Sequence, residues 1–286
     1  MSYKHQLLAV GYPLFRFVNV ARNRVASIPG KRLRVLVFHD IPPNCIGQFS
    51  DQIKWIKRRW KFIDSETFGS IIMGNRPLVE DSLLLTFDDG FYSNYLVAMN
   101  VLDPLNIKAV FFVVSGFIDT KSEIEARNFI SKGIRRDLLP DTMPSHWKSM
   151  SWADLRELQS SGHTIGAHTA THVRLSELNN DLEFISEIAT SADYIESKID
   201  RSVNSFAFTF GDYSSLCKNA FAIAANRFQY VYSSLRGDNA IKTHPKMVCR
   251  DTVAPSDSNW LIGSLLEGGA DHIYEESRSK CCGWLE

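Results

Sequence analysis

Five runs of this 286-residue chain end in polar residues of kinds that do chemistry. LRVLVFHD ends in His39 and Asp40, LLLTFDDG carries Asp88 and Asp89, and GHTIGAHT carries His168. FAFTFGD ends in Gly211 and Asp212, and MVCRD in Arg250 and Asp251. Asp88-Asp89-Gly90 alone fits an ordinary turn after a strand, where Asp and Gly are favoured. His168 and His172 alone fit two surface or core histidines, although a four-residue spacing of histidines recurs in metal sites. With a carboxylate as third ligand they make a set that leaves positions on a divalent ion open for water and substrate. The combination is far more specific than either half.

TFDDG at 86–90 and HTATH at 168–172 resemble the first two motifs of the polysaccharide deacetylases, the NodB-homology carbohydrate esterases. MSWADLRELQSSGHTIGAHTATH at 150–172 is similar to that family well beyond the motif positions, and the similarity spans roughly Arg34 to Leu265. The resemblance implies an irregular parallel β/α barrel of about seven strands. It also implies removal of an acyl group, usually acetyl from an N-acetylated amino sugar, with one divalent metal ion. Zinc (Zn2+) is the expected ion, with Co2+ or Ni2+ as alternatives. By the same resemblance Asp89, His168 and His172 bind the metal and Asp88 is the general base. The physical logic agrees, since a metal with three protein ligands acidifies bound water and polarises an amide carbonyl, and a carboxylate beside it can take the water's proton.

FAFTFG at 206–211 resembles the family's third motif, which commonly ends Pro-aromatic-Gly; Thr209 stands at the proline position and puts the loop geometry in question. By that analogy the Phe210 N–H helps to hold the oxyanion. The leaving amine needs a proton, and the late histidines His244 and His272 follow no aliphatic strand. VLVFHDI at 35–41 is similar instead to the early strand of circularly permuted members, which resemble the poly-N-acetylglucosamine deacetylases. His39 is therefore the expected general acid, with a capping or core histidine as the alternative. Arg250 in VCRDTV resembles an arginine that positions the base; a surface ion pair is the other reading.

Residues this far apart meet only if the chain between them forms elements that end together. From Leu33 onward short aliphatic runs alternate with helical periodicities, which predicts a single α/β domain built around a parallel sheet or barrel, the barrel being what the resemblance implies. Strands are expected at 33–39, 82–88, 108–114, 163–168, 205–210 and 230–233, with a weaker one at 246–250. The C-terminal rim of such strands gathers side chains from distant sequence. Phe49, Ile53, Ile56 and Trp60 share a helix face, and Leu178, Leu182, Ile185, Ile188, Ala192, Ile195 and Ile199 predict one long amphipathic helix. Ser151 and Asp154 have the spacing of a capping box. Residues 120–150, with two prolines and mixed charge, read as an insertion or lid. Phe91, Tyr92, Trp147, Trp152 and Tyr213 could stack on sugar rings or fill a core.

Residues 1–30 read as a basic helical arm, 31–270 as the barrel and 271–286 as a tail. With 44% hydrophobic residues the chain can bury a full core, which excludes a disordered or disulfide-stapled protein. Its 32 basic residues balance 32 acidic ones, which argues against nucleic acid as a partner. The carbohydrate substrate is the expected partner. No acid precedes Asp40, whereas Lys4, Arg16, Arg22, Arg24, Lys31, Arg32 and Arg34 do. The apolar run from Leu7 to Val20 contains Pro13 and Arg16, is followed by no small-residue cleavage site, and is too short and charged to span a bilayer. Five cysteines without a CxxC pair read as reduced thiols. The expectation is a cytoplasmic enzyme, either held peripherally on the inner face of the membrane by residues 1–30 or with that helix against the barrel. The rival functions are deformylation or another deacylation of an amino sugar, and a catalytically silent carbohydrate-binding module, against which the intact motif residues argue.

Overall fold

The computed structural model describes residues 3–25, 30–240 and 243–285. Eight strands, β1 (Leu33–Phe38), β2 (Lys61–Ile63), β3 (Ser82–Phe87), β4 (Ala109–Val113), β5 (Thr164–Ala167), β6 (Ser205–Ala207), β7 (Tyr230–Tyr232) and β8 (Asp251–Thr252), form one sheet. Seven follow the order β7-β6-β5-β4-β3-β1-β8, all parallel, while β2 pairs with the first half of β3. The sheet curls into a barrel. Val248 forms a parallel bridge to Tyr232, and β8 pairs with β1 through Leu36 and Val37. The segment before β8 therefore changes partner from β7 to β1. That change breaks the strand expected at 246–250 into a single bridge followed by two paired residues.

The alternation of side chains along a strand explains how the sequence aims its polar residues. Leu33, Val35, Leu84, Val110, Phe112, Ala207, Tyr232 and Val248 form one buried cluster, and their neighbours Leu36, Leu83, Leu85, Phe111 and Phe206 belong to another. The first cluster is the barrel interior. Counting by twos from Val35, Leu84 and Val248 reaches His39, Asp88 and Arg250. Three strands of unrelated sequence thus deliver chemistry to the same inner side of one rim.

Phe49, Ile53 and Ile56 are buried on the helix Ile46–Lys57, as their spacing predicts. The helix Trp152–Ser160 opens with the capping box of Ser151 and Asp154 and buries Leu155 and Leu158. The long helix differs from expectation. It begins at Asp181 and contains a π-helical turn at Ser186–Thr190, which adds a residue to one turn and shifts the buried face. Phe184, Ile188, Ala192, Ile195 and Ile199 point inward, while Leu182 is 79% exposed.

The helix Tyr3–Val25 lies against the helix Asn259–Leu266, with Ala9 and Tyr12 buried. Arg34, one of the cations preceding Asp40, is no part of a solvated arm. It lies wholly buried in β1, where its guanidinium donates to Asp251 and Asp271. All five cysteines are free.

Candidate active site

His39 follows β1, Asp88 and Asp89 follow β3, His168 follows β5, Phe210 lies in the loop after β6, and Arg250 immediately precedes β8. The fold brings all of them, with His172, to the C-terminal rim. His244 and His272 are exposed and line none of this site.

Arg250 is fully buried and grips Asp88 with two bonds, Nη1 to Oδ1 at 2.7 Å and Nη2 to Oδ2 at 2.8 Å. Its Nε donates to the carbonyl of Ser233 at 2.8 Å, which fixes the plane of the guanidinium. The surface ion pair considered for Arg250 is thus excluded. Burial alone would raise the Asp88 carboxyl, but the Arg250 guanidinium, together with the neighbouring His168 and His39, outweighs it and holds the group below the ordinary carboxylate range. Asp88 is consequently a carboxylate at neutral pH.

Beside it, Asp89, His168 and His172 each offer a ligand atom, and these atoms lie within 4.8 Å of one another. His172 Nε2 is 3.2 Å and His168 Nε2 3.6 Å from Asp89 Oδ1. That oxygen is buried and has no hydrogen-bond donor. The other nitrogen of His168, Nδ1, lies 2.7 Å from the Ala207 carbonyl, so it must carry the proton and leaves the Nε2 lone pair facing the carboxylates. Burial pushes the His168 imidazole down to about 4. A neutral His168 with its lone pair turned toward an orphaned carboxylate oxygen, and His172 Nε2 beside it, are what a divalent cation requires. The residues present fit such an ion.

The HTATH loop is held by groups that no motif announces. Glu187 sits on the π-helical turn, where its Oε2 accepts from the N–H groups of Ala170 and Thr171 and its Oε1 from the Thr171 hydroxyl. Gly133 lies so close that a Cβ there would come within 2.6 Å of the Thr171 carbonyl and 3.3 Å of the His172 Cβ. Thr169 and His172 both have positive φ, and so do Asp89 and Phe210. Four of the six non-glycine residues in this region of backbone space, among the described residues, are therefore at one site.

Thr209 departs from the proline of its motif for a visible reason. Its hydroxyl donates to the Val173 carbonyl at 2.6 Å and so ties the third-motif loop to the residue after His172. Phe208 N bonds Tyr232 and Gly211 N bonds Thr209, whereas the Phe210 N–H has no acceptor among the described residues. The Phe210 ring meets His172 edge to face with centroids 4.9 Å apart, and the Arg174 guanidinium stands over it at 4.3 Å.

A cavity of about 280 Å³ opens onto this cluster, walled by His39, Asp40, Asp89, His172 and Phe210 and by Phe91, Ile134, Arg135 and Trp147. Residues 120–150 supply the last three of these. Asp40 anchors that segment by accepting from Trp147 Nε1 at 2.8 Å, with His146 Nε2 at 2.9 Å. Of the aromatic candidates, Phe91 and Trp147 line the cavity, while Trp152 packs on Tyr194 and Tyr213 on Trp284. A larger cavity of about 390 Å³ lies at the other end of the barrel, beside the first residues of β5, β6 and β7, and holds none of these groups.

The sequence pattern of the polysaccharide deacetylases matches residues 75–228, more than half of the chain. The chain belongs to this family. Among solved structures, this deacetylase-family chain is similar to the Streptococcus pyogenes deacetylase PplD, with 16% identity over 82% of this chain and 98% of that one and a TM-score of 0.65. It is similar also to IcaB from Ammonifex degensii (20%; 83% and 98%; 0.64) and to the BpsB deacetylase domain from Bordetella bronchiseptica (22%; 79% and 97%; 0.61). These identities speak for the fold, a NodB-like barrel, as expected. No curated protein matches the chain.

Proposed function

We propose that this member of the polysaccharide deacetylase family is a metal-dependent hydrolase that removes the N-acetyl group from an amino sugar in a glycan or lipid-linked saccharide. The observation that carries the reading is the buried Asp89, His168 and His172 cluster with its unpartnered carboxylate oxygen, beside a carboxylate held ionised by Arg250. A divalent ion in that cluster, zinc by expectation, would supply Lewis-acid activation of water and of the acetamide carbonyl.

The residues of the chain do the rest. Asp88 accepts the proton of the attacking water, its two oxygens held in place by the Arg250 fork. The uncommitted Phe210 N–H donates to the carbonyl oxygen as negative charge gathers there. His39 gives a proton to the departing nitrogen, so that the carbon–nitrogen bond breaks to leave acetate and a free amine. The cavity lies near the lower end of the roughly 300–1,000 Å³ usual for small-molecule pockets, which suits one sugar ring with its acyl group. Phe91 and Trp147 offer it apolar faces.

The test is release of acetate, and of formate as the rival product, from N-acetylated and N-formylated amino sugars after chelation and after divalent ions are restored. Acetate release should return with the metal, and Asp88→Asn should abolish it while the protein keeps its metal. Formate release alone would assign the site to deformylation. Absence of both products with every ion, or an Asp88→Asn variant within a few-fold of wild type, would overturn the proposal.

A further inference from the structure

The helix Tyr3–Val25 has two apolar faces, and the barrel uses only one. On the inner face, Tyr12 covers Gly263, where a Cβ would come within 2.5 Å of its ring, and its centroid lies 5.7 Å from that of Trp55. Further along, Asn19 donates to Glu267 Oε2 at 2.7 Å. On the outer face Leu7, Val10, Leu14, Phe17 and Val18 are 51–73% exposed. Trp260, three residues before Gly263 on the partner helix, is 53% exposed beside this junction. So much large apolar surface on one element marks a contact with something outside the chain.

Charge identifies the occupant. Of the seven cations before Asp40, Arg34 is buried in the barrel, Arg32 is paired with Asp238 and Arg16 with Glu267. The sequence adds Lys4, Arg22, Arg24 and Lys31, with no acid anywhere before Asp40. By the 3.6-residue period, helix positions 4 and 22 fall along one border of the outer stripe and position 24 along the other. Cations bordering an apolar face are the arrangement that lies in the headgroup layer of an anionic bilayer, with an aromatic residue at its edge. A second copy of the helix is a poorer partner, because pairing would set cations against cations with no acid to neutralise them. None of the helices described is long and apolar enough to cross a membrane.

We infer that the outer face of the N-terminal helix docks this protein on an anionic phospholipid surface, lying on the bilayer without crossing it. The inference does not depend on the reaction assigned to the cavity.

The experiment is co-sedimentation of the full chain with vesicles of phosphatidylcholine, or of phosphatidylcholine with phosphatidylglycerol, at low and high salt. Binding is expected with phosphatidylglycerol only, and it should weaken as salt rises. The variant Leu14→Glu/Phe17→Glu changes two exposed side chains and leaves the contact with Gly263 untouched. It should bind about tenfold more weakly or worse. Arg22→Glu/Arg24→Glu, which keeps the apolar stripe, should lose binding as well. Leu182→Glu, at an exposed leucine on another helix, should bind as wild type does. No sedimentation, equal binding to both vesicles, or binding unchanged in either double variant would overturn the inference. A dimer in vesicle-free solution that Leu14→Glu/Phe17→Glu dissociates would overturn it too, and would assign the stripe to a second copy.

Discussion

Replacing Arg250 with methionine would separate the electrostatic part of the site from its shape. The guanidinium is fully buried, and it makes both charge-assisted bonds to an Asp88 carboxylate that is itself 2% exposed. Removing one partner of such a pair strands the other charge, at a cost of about 3–5 kcal/mol in stability. The Asp88 carboxyl would also lose the main cation that holds it down, and burial would then push it above its ordinary value. The sign follows. In wild type a depressed carboxyl stabilises the fold above its unfolded pKa, and this is lost only as pH falls through the depressed value. In Arg250→Met the carboxyl is raised, so stability falls as pH rises through the ordinary value toward the raised one. The deficit against wild type is therefore largest near neutrality and shrinks in acid. Urea denaturation between pH 7 and 4 measures that deficit, and the acidic limb of kcat/KM should move to higher pH in parallel. Adding Asp88→Asn to the variant should restore part of the lost stability, since no charge is left stranded. An unmoved acidic limb, a deficit independent of pH, or further destabilisation by Asp88→Asn would refute the reasoning.

Glu187→Ala removes the acceptor of three bonds to the HTATH loop and should lower metal affinity by about 10–100-fold, measured by competition with a chelating dye, with partial rescue in Glu187→Gln. His39→Ala should cost more turnover than metal content, and more on an amide substrate than on the corresponding ester, whose leaving group needs a proton less; equal losses would remove His39 from that role. His163, away from the site, is pushed down by burial to about 4, and its Nδ1 accepts from Ala109 N–H at 3.1 Å. An unfolded chain takes up that proton first, so stability should decline by up to about 3 kcal/mol as pH falls from about 6.5 toward 4. His163→Gln should flatten that decline in urea titrations.

The barrel was legible because each of its long strands is an uninterrupted aliphatic run with a polar ending. LRVLVF and SLLLTF are buried at every position, as strands covered on both faces must be. Of the short pieces of the sheet, one was missed and one misplaced. Lys61–Ile63 is three residues long, too few to set up a period, and the segment before Asp251 divides its bonds between β7 and β1. The Asp89, His168 and His172 cluster could be read from spacing because those side chains stand in two short motifs. Glu187 could not. It reaches the HTATH loop from a π-helical turn, and a helix of constant 3.6-residue period cannot foresee the extra residue that turns it there. Asp40 and Trp147 stood in plain view, but their meeting depends on how residues 120–150 fold back over the rim.

Backbone strain joins these observations. Asp89, Thr169, His172 and Phe210 each hold a left-handed conformation that costs a non-glycine residue about 1–3 kcal/mol. A loop left to itself would relax, and the clustered atoms of Asp89, His168 and His172 would move apart. The restraints against that relaxation lie in the fold around the motifs. Glu187 bonds the middle of the HTATH loop, Thr169 Oγ1 accepts from His172 N–H at 3.0 Å, and the Thr209 hydroxyl bonds the carbonyl that follows His172. A proline at 209 would preset the backbone of the third-motif loop through its ring; threonine fastens that loop to its neighbour through its hydroxyl. The same requirement, holding Phe210 with φ at 61° against His172, is thus met by a bond between two loops in place of a rigid residue within one.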